Sequence, residues 1–189
     1  ALAEVAVEAA AASGKADGDV CELLGGIRPY DRFRPALGTV KSPARELPVL
    51  GEYDVVVVGG GTAGVPAAIA AGRAGAKTLL VEYLYTLGGV STDGMIVGYY
   101  DGNHCGFLNE YKKVLRETVA VVASHRIERT FHRMLDAAHV TVWHGGFGAG
   151  AYVRNGQVLG VVVATPMGRG IVRAKCVVDG TGNADVAAA

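Results

Sequence analysis

The spacing of hydrophobic and polar residues changes several times along the chain, and these changes predict a mixed α/β fold. A continuous apolar run at residues 55–58 is followed at once by three glycines, which is typical of a parallel strand buried on both faces. An alanine-rich stretch over 64–75 predicts a helix, and a second buried strand is predicted over 77–81. The order strand, helix, strand indicates a parallel βαβ unit.

The middle of the chain predicts a loop, a long helix and a third strand. Glycines are frequent over 87–106, which predicts a loop. A long helical region is expected from about 108 to 138, where Phe131, Leu135 and Ala138 recur at helical spacing. The apolar residues 140–143 then predict the third strand.

Turn signals dominate the rest of the chain and predict antiparallel strands. Two apolar segments, 151–153 and 158–164, flank Asn155-Gly156, a strong signal for a type I′ hairpin turn. A turn over 166–170 leads into the two remaining segments, a strand over 171–174 and a final returning strand over 176–178. The predicted fold class is therefore α/β, a doubly wound Rossmann-like sheet with a three-stranded antiparallel β-meander insertion.

The N-terminal part lacks this regularity. Residues 1–13 are alanine-rich and predict a short helix, whereas prolines and glycines interrupt residues 14–50. We therefore expect an N-terminal extension or linker over 1–50 and one domain over 51–189.

Composition narrows the classes of function. The 189 residues include 18 Lys and Arg against 18 Asp and Glu, so no basic surface for nucleic acid or an anionic membrane is indicated. No apolar run approaches the roughly 20 residues of a membrane helix, and the first residues do not match a secretory signal. Cys21, Cys105 and Cys176 are widely spaced, which favours a cytoplasmic protein without disulfides or a zinc site.

The loop after the first strand has the G-x-G-x-x-G pattern of dinucleotide-binding folds. Gly59 permits the tight turn, Gly61 lets the backbone approach a pyrophosphate, and Gly64 allows close packing of helix and strand. With Thr62 and Ala63 they open the helix, whose N-terminus favours a diphosphate.

The end of the second strand offers a ribose ligand. Glu82 stands where a carboxylate can accept hydrogen bonds from both ribose hydroxyls. A carboxylate there favours FAD or NAD over NADP, because it would repel the additional phosphate. The loop, long helix and meander that follow favour FAD over NAD.

The stretch YDVVVVGGGTAGVPAAIAAGRAGAKTLLVE, followed by LGGVSTDG, resembles the FAD-dependent oxidoreductases of the glutathione-reductase-like flavoprotein superfamily. More narrowly it is similar to a bacterial FAD-dependent oxidoreductase group, over about residues 53–189. The resemblance implies that a paired glycine past the acidic ribose ligand lies against the diphosphate and flavin. Here that pair is Gly88 and Gly89, with Ser91 and Thr92 following.

The resemblance extends to the segment VVDGTGNAD near the end of the chain. It is similar to the family's A-T-G segment and implies that Thr181, Gly182 and Asp185 lie beside the cofactor. Asp179 and Gly180 replace the small residues that are more usual in the family before Thr181.

The resemblance implies a flavin-dependent oxidoreductase that transfers a hydride between a small organic substrate and FAD. Family members continue well beyond the G-T-G-N-A-D segment, so either a second polypeptide completes the FAD and substrate site or this chain is an incomplete fragment. We favour the second polypeptide. Two alternatives stay open. One is a tRNA-modifying flavoprotein, against which the zero net charge argues, and the other is a non-catalytic FAD- or ADP-binding subunit of a larger assembly.

The candidate catalytic residues are His104 and Cys105, which follow the Gly-Gly loop. A histidine could act as a base, and either residue could tether a flavin covalently. The simpler interpretation is a polar loop packed by aromatic residues, and Tyr99, Tyr100 and Asn103 share that loop. Asp93 could orient a flavin contact or simply belong to a turn. The remaining histidines follow no metal-ligand motif, so no metal site is expected; they are His125, His132, His139 and His144.

Overall fold

A computed structural model describes residues 46–98 and 104–188 of the chain, and a compact unit begins at Pro48. The predicted extension over 1–50 falls almost wholly outside the described residues and stays a prediction. In chain order the elements are β1 (Val49–Val58), α1 (Gly64–Arg73), β2 (Thr78–Glu82), a short 3₁₀ helix (Gly89–Ser91), α2 (Phe107–Glu117), α3 (Ala123–Ala137), β3 (Thr141–His144), β4 (Phe147–Arg154), β5 (Gln157–Thr165) and β6 (Gly168–Asp179).

The strands form one six-stranded sheet in the order β3-β2-β1-β6-β5-β4. The strands β3, β2, β1 and β6 are parallel, and β5 and β4 continue the sheet antiparallel. Val58 at the end of β1 is in register with Val81 on one side and with Asp179 on the other. The loops that follow β1, β2 and β6 therefore begin at one edge of the sheet.

Helices cover one face of the parallel strands. Because side chains alternate along a strand, Val57 and Leu80 point to this face while their neighbours point to the other. They pack against apolar side chains of α1 and α3, which come from positions three or four residues apart. Those helix residues are Val65, Ala68, Ile69, Ile127, Phe131, Met134 and Leu135. The helical spacing predicted over 131–138 is thus confirmed.

The antiparallel strands cover the opposite face. Val161 and Val163 of β5 pack against the β1 and β2 residues that point away from the helices. Glycines allow this approach: a Cβ atom on Gly148 would lie 2.5 Å from Val58 Cγ1, and one on Gly146 would lie 2.9 Å from Val81 Cγ1. The sheet is therefore curved, and its antiparallel strands β4 and β5 enclose a second hydrophobic core on the face away from the helices.

The α/β fold with a parallel Rossmann-like core is as predicted, and so is the type I′ turn. Asn155 and Gly156 both have positive φ, 52° and 72°, as this turn requires. The segments expected over 171–174 and 176–178 differ from the prediction, since they form the single strand β6. Lys175, whose side chain is exposed, interrupts the apolar pattern there without ending the strand. The third strand of the predicted meander is therefore the returning strand itself.

The long helix predicted over 108–138 is wrong, because two helices occupy this region. Helix α2 ends before Thr118, which is extended with φ −87° and ψ 122° and whose hydroxyl donates to Val114 O at 2.9 Å. The next residues include Val119, Val121 and Val122, and β-branched side chains lower helix propensity.

No helix in the described ranges is both long and apolar enough to cross a membrane.

Candidate functional site

Three glycine-containing segments, far apart in the sequence, meet at the carboxyl ends of β1, β2 and β6. The N–H of Gly88 donates to Gly60 O at 2.8 Å, which joins the second segment to the first. The N–H of Gly180 donates to Val58 O at 2.7 Å, which joins the third. Ligands of open α/β sheets bind at such carboxyl ends. The predicted cofactor residues of the three segments are thus brought to one edge.

Two glycines of the first loop are required by the protein's own packing. A Cβ atom on Gly64 would overlap the carbonyl oxygen of Gly59. Gly59 has φ +95°, and a Cβ atom on it would overlap the carbonyl oxygen of Gly180. At these positions glycine is needed for turn geometry and close backbone contact, as the motif predicts.

Gly61 differs from its neighbours, because within residues 46–98 and 104–188 no atom beyond the two adjacent residues lies within 4 Å of a Cβ atom placed on it. Packing among the described residues therefore gives no reason for a glycine here. A Cβ atom on Gly89, which has φ +53°, would lie 3.3 Å from Gly61 Cα, so the Gly-Gly segment passes directly beside this open space. An open cradle between two glycine segments fits a diphosphate that approaches the backbone.

Helix α1 begins at this cradle. Ala63 occupies the cap position and makes no side-chain cap hydrogen bond, and Thr62 and Ala63 are exposed. The first turn of a helix leaves N–H groups unsatisfied and carries a partial positive charge. The N–H of Val65 already donates to Gly61 O at 3.1 Å, and Pro66 has no N–H. The remaining N–H groups at the start of α1 have no side-chain cap and are suited to bind an anion.

Glu82 is the carboxylate at the edge of the site, and it is only 4% exposed. Its Oε2 accepts the N–H of Gly60 at 2.6 Å, and its Oε1 accepts the N–H of Leu84 at 2.8 Å. A carboxylate oxygen has two acceptor positions, so each oxygen keeps one further position for a hydrogen-bond donor. Glu82 therefore also holds the first glycine loop in place. The sequence did not predict this role, because it depends on β1 and β2 being neighbours in the sheet.

The residues after the Gly-Gly pair form a tight turn. Ser91 ends the 3₁₀ helix, and Thr92 is buried with its hydroxyl donating to Leu87 O at 2.9 Å. Asp93 is exposed and accepts the hydroxyl hydrogen of Thr86. Thr92 and Asp93 thus shape the turn that carries Gly88 and Gly89.

The third segment is ordered by Asp179. Its carboxylate accepts from Thr181, whose hydroxyl in turn accepts the N–H of Asp185 at 3.0 Å. Burial raises the pKa of Asp179, but its hydrogen bonds from Thr181, Ala187 and Val186 outweigh burial and hold the pKa below the ordinary value. Sequence reasoning noted Asp179 only as a departure from the family pattern. Gly182, with φ +83°, is exposed at the tip of the turn.

The candidate catalytic residues lie just ahead of α2. His104 and Cys105 are both exposed, and His104 Nδ1 contacts Lys112 Nζ. Their catalytic role stays a prediction. Tyr99, Tyr100 and Asn103 lie outside the described residues.

Two of the histidines that follow no metal-ligand motif lie close together. The rings of His132 and His144 lie 5.7 Å apart, centroid to centroid. Within residues 46–98 and 104–188 there is no group of three or more metal-ligating side chains.

Solved structures of similar fold belong to several proteins. A geranylgeranyl bacteriochlorophyll reductase-like protein from Thermoplasma acidophilum is 26% identical, with a TM-score of 0.53 over 68% of this chain and 39% of its own. Thermovibrio ammonificans THI4 is 21% identical, with a TM-score of 0.54 over 72% and 60%. The 3-ketosteroid-Δ4-(5α)-dehydrogenase of Rhodococcus jostii RHA1 is 16% identical, with a TM-score of 0.51 over 69% and 46%. This chain thus spans between 39% and 60% of their lengths.

The family model of the FAD-dependent oxidoreductases matches residues 54–189, which contain all three glycine segments and Glu82. The open cradle at Gly61, the uncapped start of α1 and the free acceptor positions of Glu82 fit the ADP part of FAD. FAD is therefore the cofactor, and the chain belongs to the FAD-dependent oxidoreductase family.

Proposed function

We propose that this chain holds FAD at the carboxyl ends of β1, β2 and β6, and that the enzyme transfers a hydride between a small organic substrate and the flavin. The observation that carries the proposal is the open space beside Gly61, between two glycine segments that the backbone holds together. Glycine without an internal packing reason indicates room kept for a ligand.

Each part of the site has a role in this proposal. The N–H groups at the start of α1 bind the diphosphate, and Gly61 lets it approach the backbone. Glu82 accepts hydrogen bonds from the ribose hydroxyls while it keeps the glycine loop in place. When bound, FAD supplies the redox chemistry, and the protein supplies binding, orientation and electrostatics.

A second polypeptide that completes the FAD and substrate site is part of the proposal. The chain spans 39% to 60% of the lengths of the structures named above, which supports the need for further residues around the cofactor. Gel electrophoresis and intact-mass analysis of the active enzyme test this. We expect a second chain, and a preparation of this polypeptide alone that is fully loaded with flavin and active would contradict it.

Gly61→Val tests the FAD site. A valine would fill the cradle, so we expect loss of bound flavin, measured by its visible absorbance after purification and by titration with FAD. The control is Ala70→Val, at an exposed position in the second half of α1, away from the start of the helix. Unchanged flavin content in Gly61→Val, with the control also unchanged, would overturn the proposed site.

A further inference from the structure

The turn that follows β6 is built around one carboxylate. Asp179 ends the strand in register with Val58, so the chain leaves β6 at the level where β1 enters the first glycine loop. Gly180 follows, and a Cβ atom on it would lie 3.1 Å from both Gly59 O and Gly64 Cα. The backbone of the third segment is thus in direct contact with the backbone of the first.

Four hydrogen bonds converge on the Asp179 carboxylate. Oδ1 accepts the N–H of Thr181 at 3.0 Å and its hydroxyl hydrogen at 2.7 Å. Oδ2 accepts the N–H of Val186 at 3.0 Å and that of Ala187 at 2.9 Å. Because these donors lie two to eight residues ahead, they fold the whole turn back over the end of β6.

The turn needs this support. Gly182 and Ala184 both have positive φ, 83° and 61°, and a left-handed conformation is unfavourable for alanine. Val186, only 4% exposed, packs in the second core, where its Cγ2 would lie 3.2 Å from a Cβ atom on Gly148. Core packing therefore anchors the far end of the turn, and Asp179 ties that end to Thr181.

We propose that Asp179 is a positioning residue of the FAD site, whose carboxylate keeps residues 180–187 folded against the first glycine loop in the form that binds FAD. The inference rests on the proposed function, because it concerns the same site. Asp179 acts through the backbone of Gly180 and Thr181 rather than by touching the cofactor. When only a fraction of molecules has the binding-competent turn, the apparent affinity falls by that fraction.

Asp179→Asn tests this, because an amide offers one acceptor oxygen where the carboxylate offers two. We expect FAD to bind about tenfold more weakly, as when a tenth of the molecules hold the turn. Hydrogen exchange of the amides of Val186 and Ala187 in the FAD-free protein should be faster. The control is Val140→Ala, which removes buried methyl groups from the core beneath the helices, a core that contains no residue of the turn. It should lower global stability but leave FAD affinity and these two exchange rates unchanged.

Equal FAD affinity in Asp179→Asn and wild type would overturn the inference. An equal loss of FAD affinity in Val140→Ala would also overturn it, because a general loss of stability would then explain the effect. Failure of the wild-type protein itself to bind FAD would overturn the proposed function instead, while the exchange rates would still report whether Asp179 holds the turn.

A second pair of variants tests the same inference if Asp179→Asn does not fold. Thr181→Val removes the hydroxyl that links Asp179 to the N–H of Asp185, and Thr181→Ser retains it. We expect weaker FAD binding and faster exchange in Thr181→Val, with both restored in Thr181→Ser. Identical behaviour of the two variants would contradict the proposed network.

Discussion

The carboxylates of the parallel strands differ in their hydrogen-bond partners. At the carboxyl ends of β2 and β6, Glu82 and Asp179 accept hydrogen bonds mainly from backbone N–H groups. Within β1 and β6, away from the site, Lys175 Nζ lies 2.6 Å from Asp54 Oδ1, and an exposed Arg173–Glu52 pair lies two residues earlier on each strand. The hydrogen bond from Lys175, followed by that from the N–H of Lys77, lowers the pKa of Asp54.

This difference separates a preorganised site from a solvated surface. Backbone N–H groups are held by the fold, so a carboxylate bound by them fixes the loops that donate them. Exposed ion pairs gain little, since water screens the charges and long side chains lose rotamer freedom when they pair. We therefore expect substitutions at the carboxyl ends to affect stability and FAD binding, and substitutions of the exposed pairs within β1 and β6 to affect neither strongly.

The largest effect is expected for Gly64→Ala. The new Cβ would overlap the carbonyl oxygen of Gly59 and force the first loop away from α1, at a cost of about 3 kcal/mol in the free energy of unfolding. Urea denaturation measures this. The control is Gly61→Ala, whose Cβ meets open space and which should be neutral or slightly stabilising. Equal losses for the two variants would show that the loop is not packed as described.

Glu82→Gln should have an intermediate effect. A glutamine amide can accept from only one of the two N–H groups of Gly60 and Leu84, and the other is left facing an N–H₂ group. We expect a loss of about 1–3 kcal/mol in the free energy of unfolding, again by urea denaturation. Glu52→Gln, in an exposed ion pair within β1, should change the free energy of unfolding by no more than about 0.5 kcal/mol. A comparable loss at Glu52 would remove the distinction between the two kinds of carboxylate.

The smallest effects should appear as a dependence on pH. The pKa of Asp179 is lowered in the folded state, so its carboxylate contributes to the free energy of unfolding at neutral pH. This contribution is lost as the pH falls from the unfolded pKa of about 4 through the lower folded pKa. The stability difference between wild type and Asp179→Asn should therefore shrink in acid, measured by urea denaturation between neutral and acidic pH. Asp54→Asn should show a weaker dependence that disappears in high salt, because its pair is exposed. A difference that grows in acid would contradict the sign for Asp179.

Local sequence patterns predicted the strands, but they placed a break inside β6 and missed the break between α2 and α3. The break within 171–178 came from Lys175, a charged residue in a strand whose side chain reaches solvent at the sheet surface. The break between α2 and α3 was missed because its valines resemble helical apolar positions, although they are largely exposed, with Val121 at 101% relative exposure. Both errors depend on which face of an element meets water, and periodicity alone does not decide that.

The candidate site was predictable in its residue types but not in all their roles. Gly59, Gly61 and Gly64 follow from one short motif, since the chemistry of a βα turn is local. The hydrogen bond from Gly60 to Glu82 joins residues 22 positions apart, and it exists only because β1 and β2 are parallel neighbours. The four hydrogen bonds to Asp179 were likewise not predictable from the sequence, because they form only when the turn after β6 folds back over the end of the strand.

The sequence by itself determined the α/β class, the βαβ start, the type I′ turn and the family, because each depends on short patterns that one segment carries. Tertiary structure decided that β6 is one strand, that β4 and β5 close the second core, and that Glu82 and Asp179 bind backbone N–H groups of the glycine segments. The physical reason is range: conformational preferences act over a few residues, whereas a buried carboxylate is satisfied by whichever N–H groups the packed sheet brings within reach.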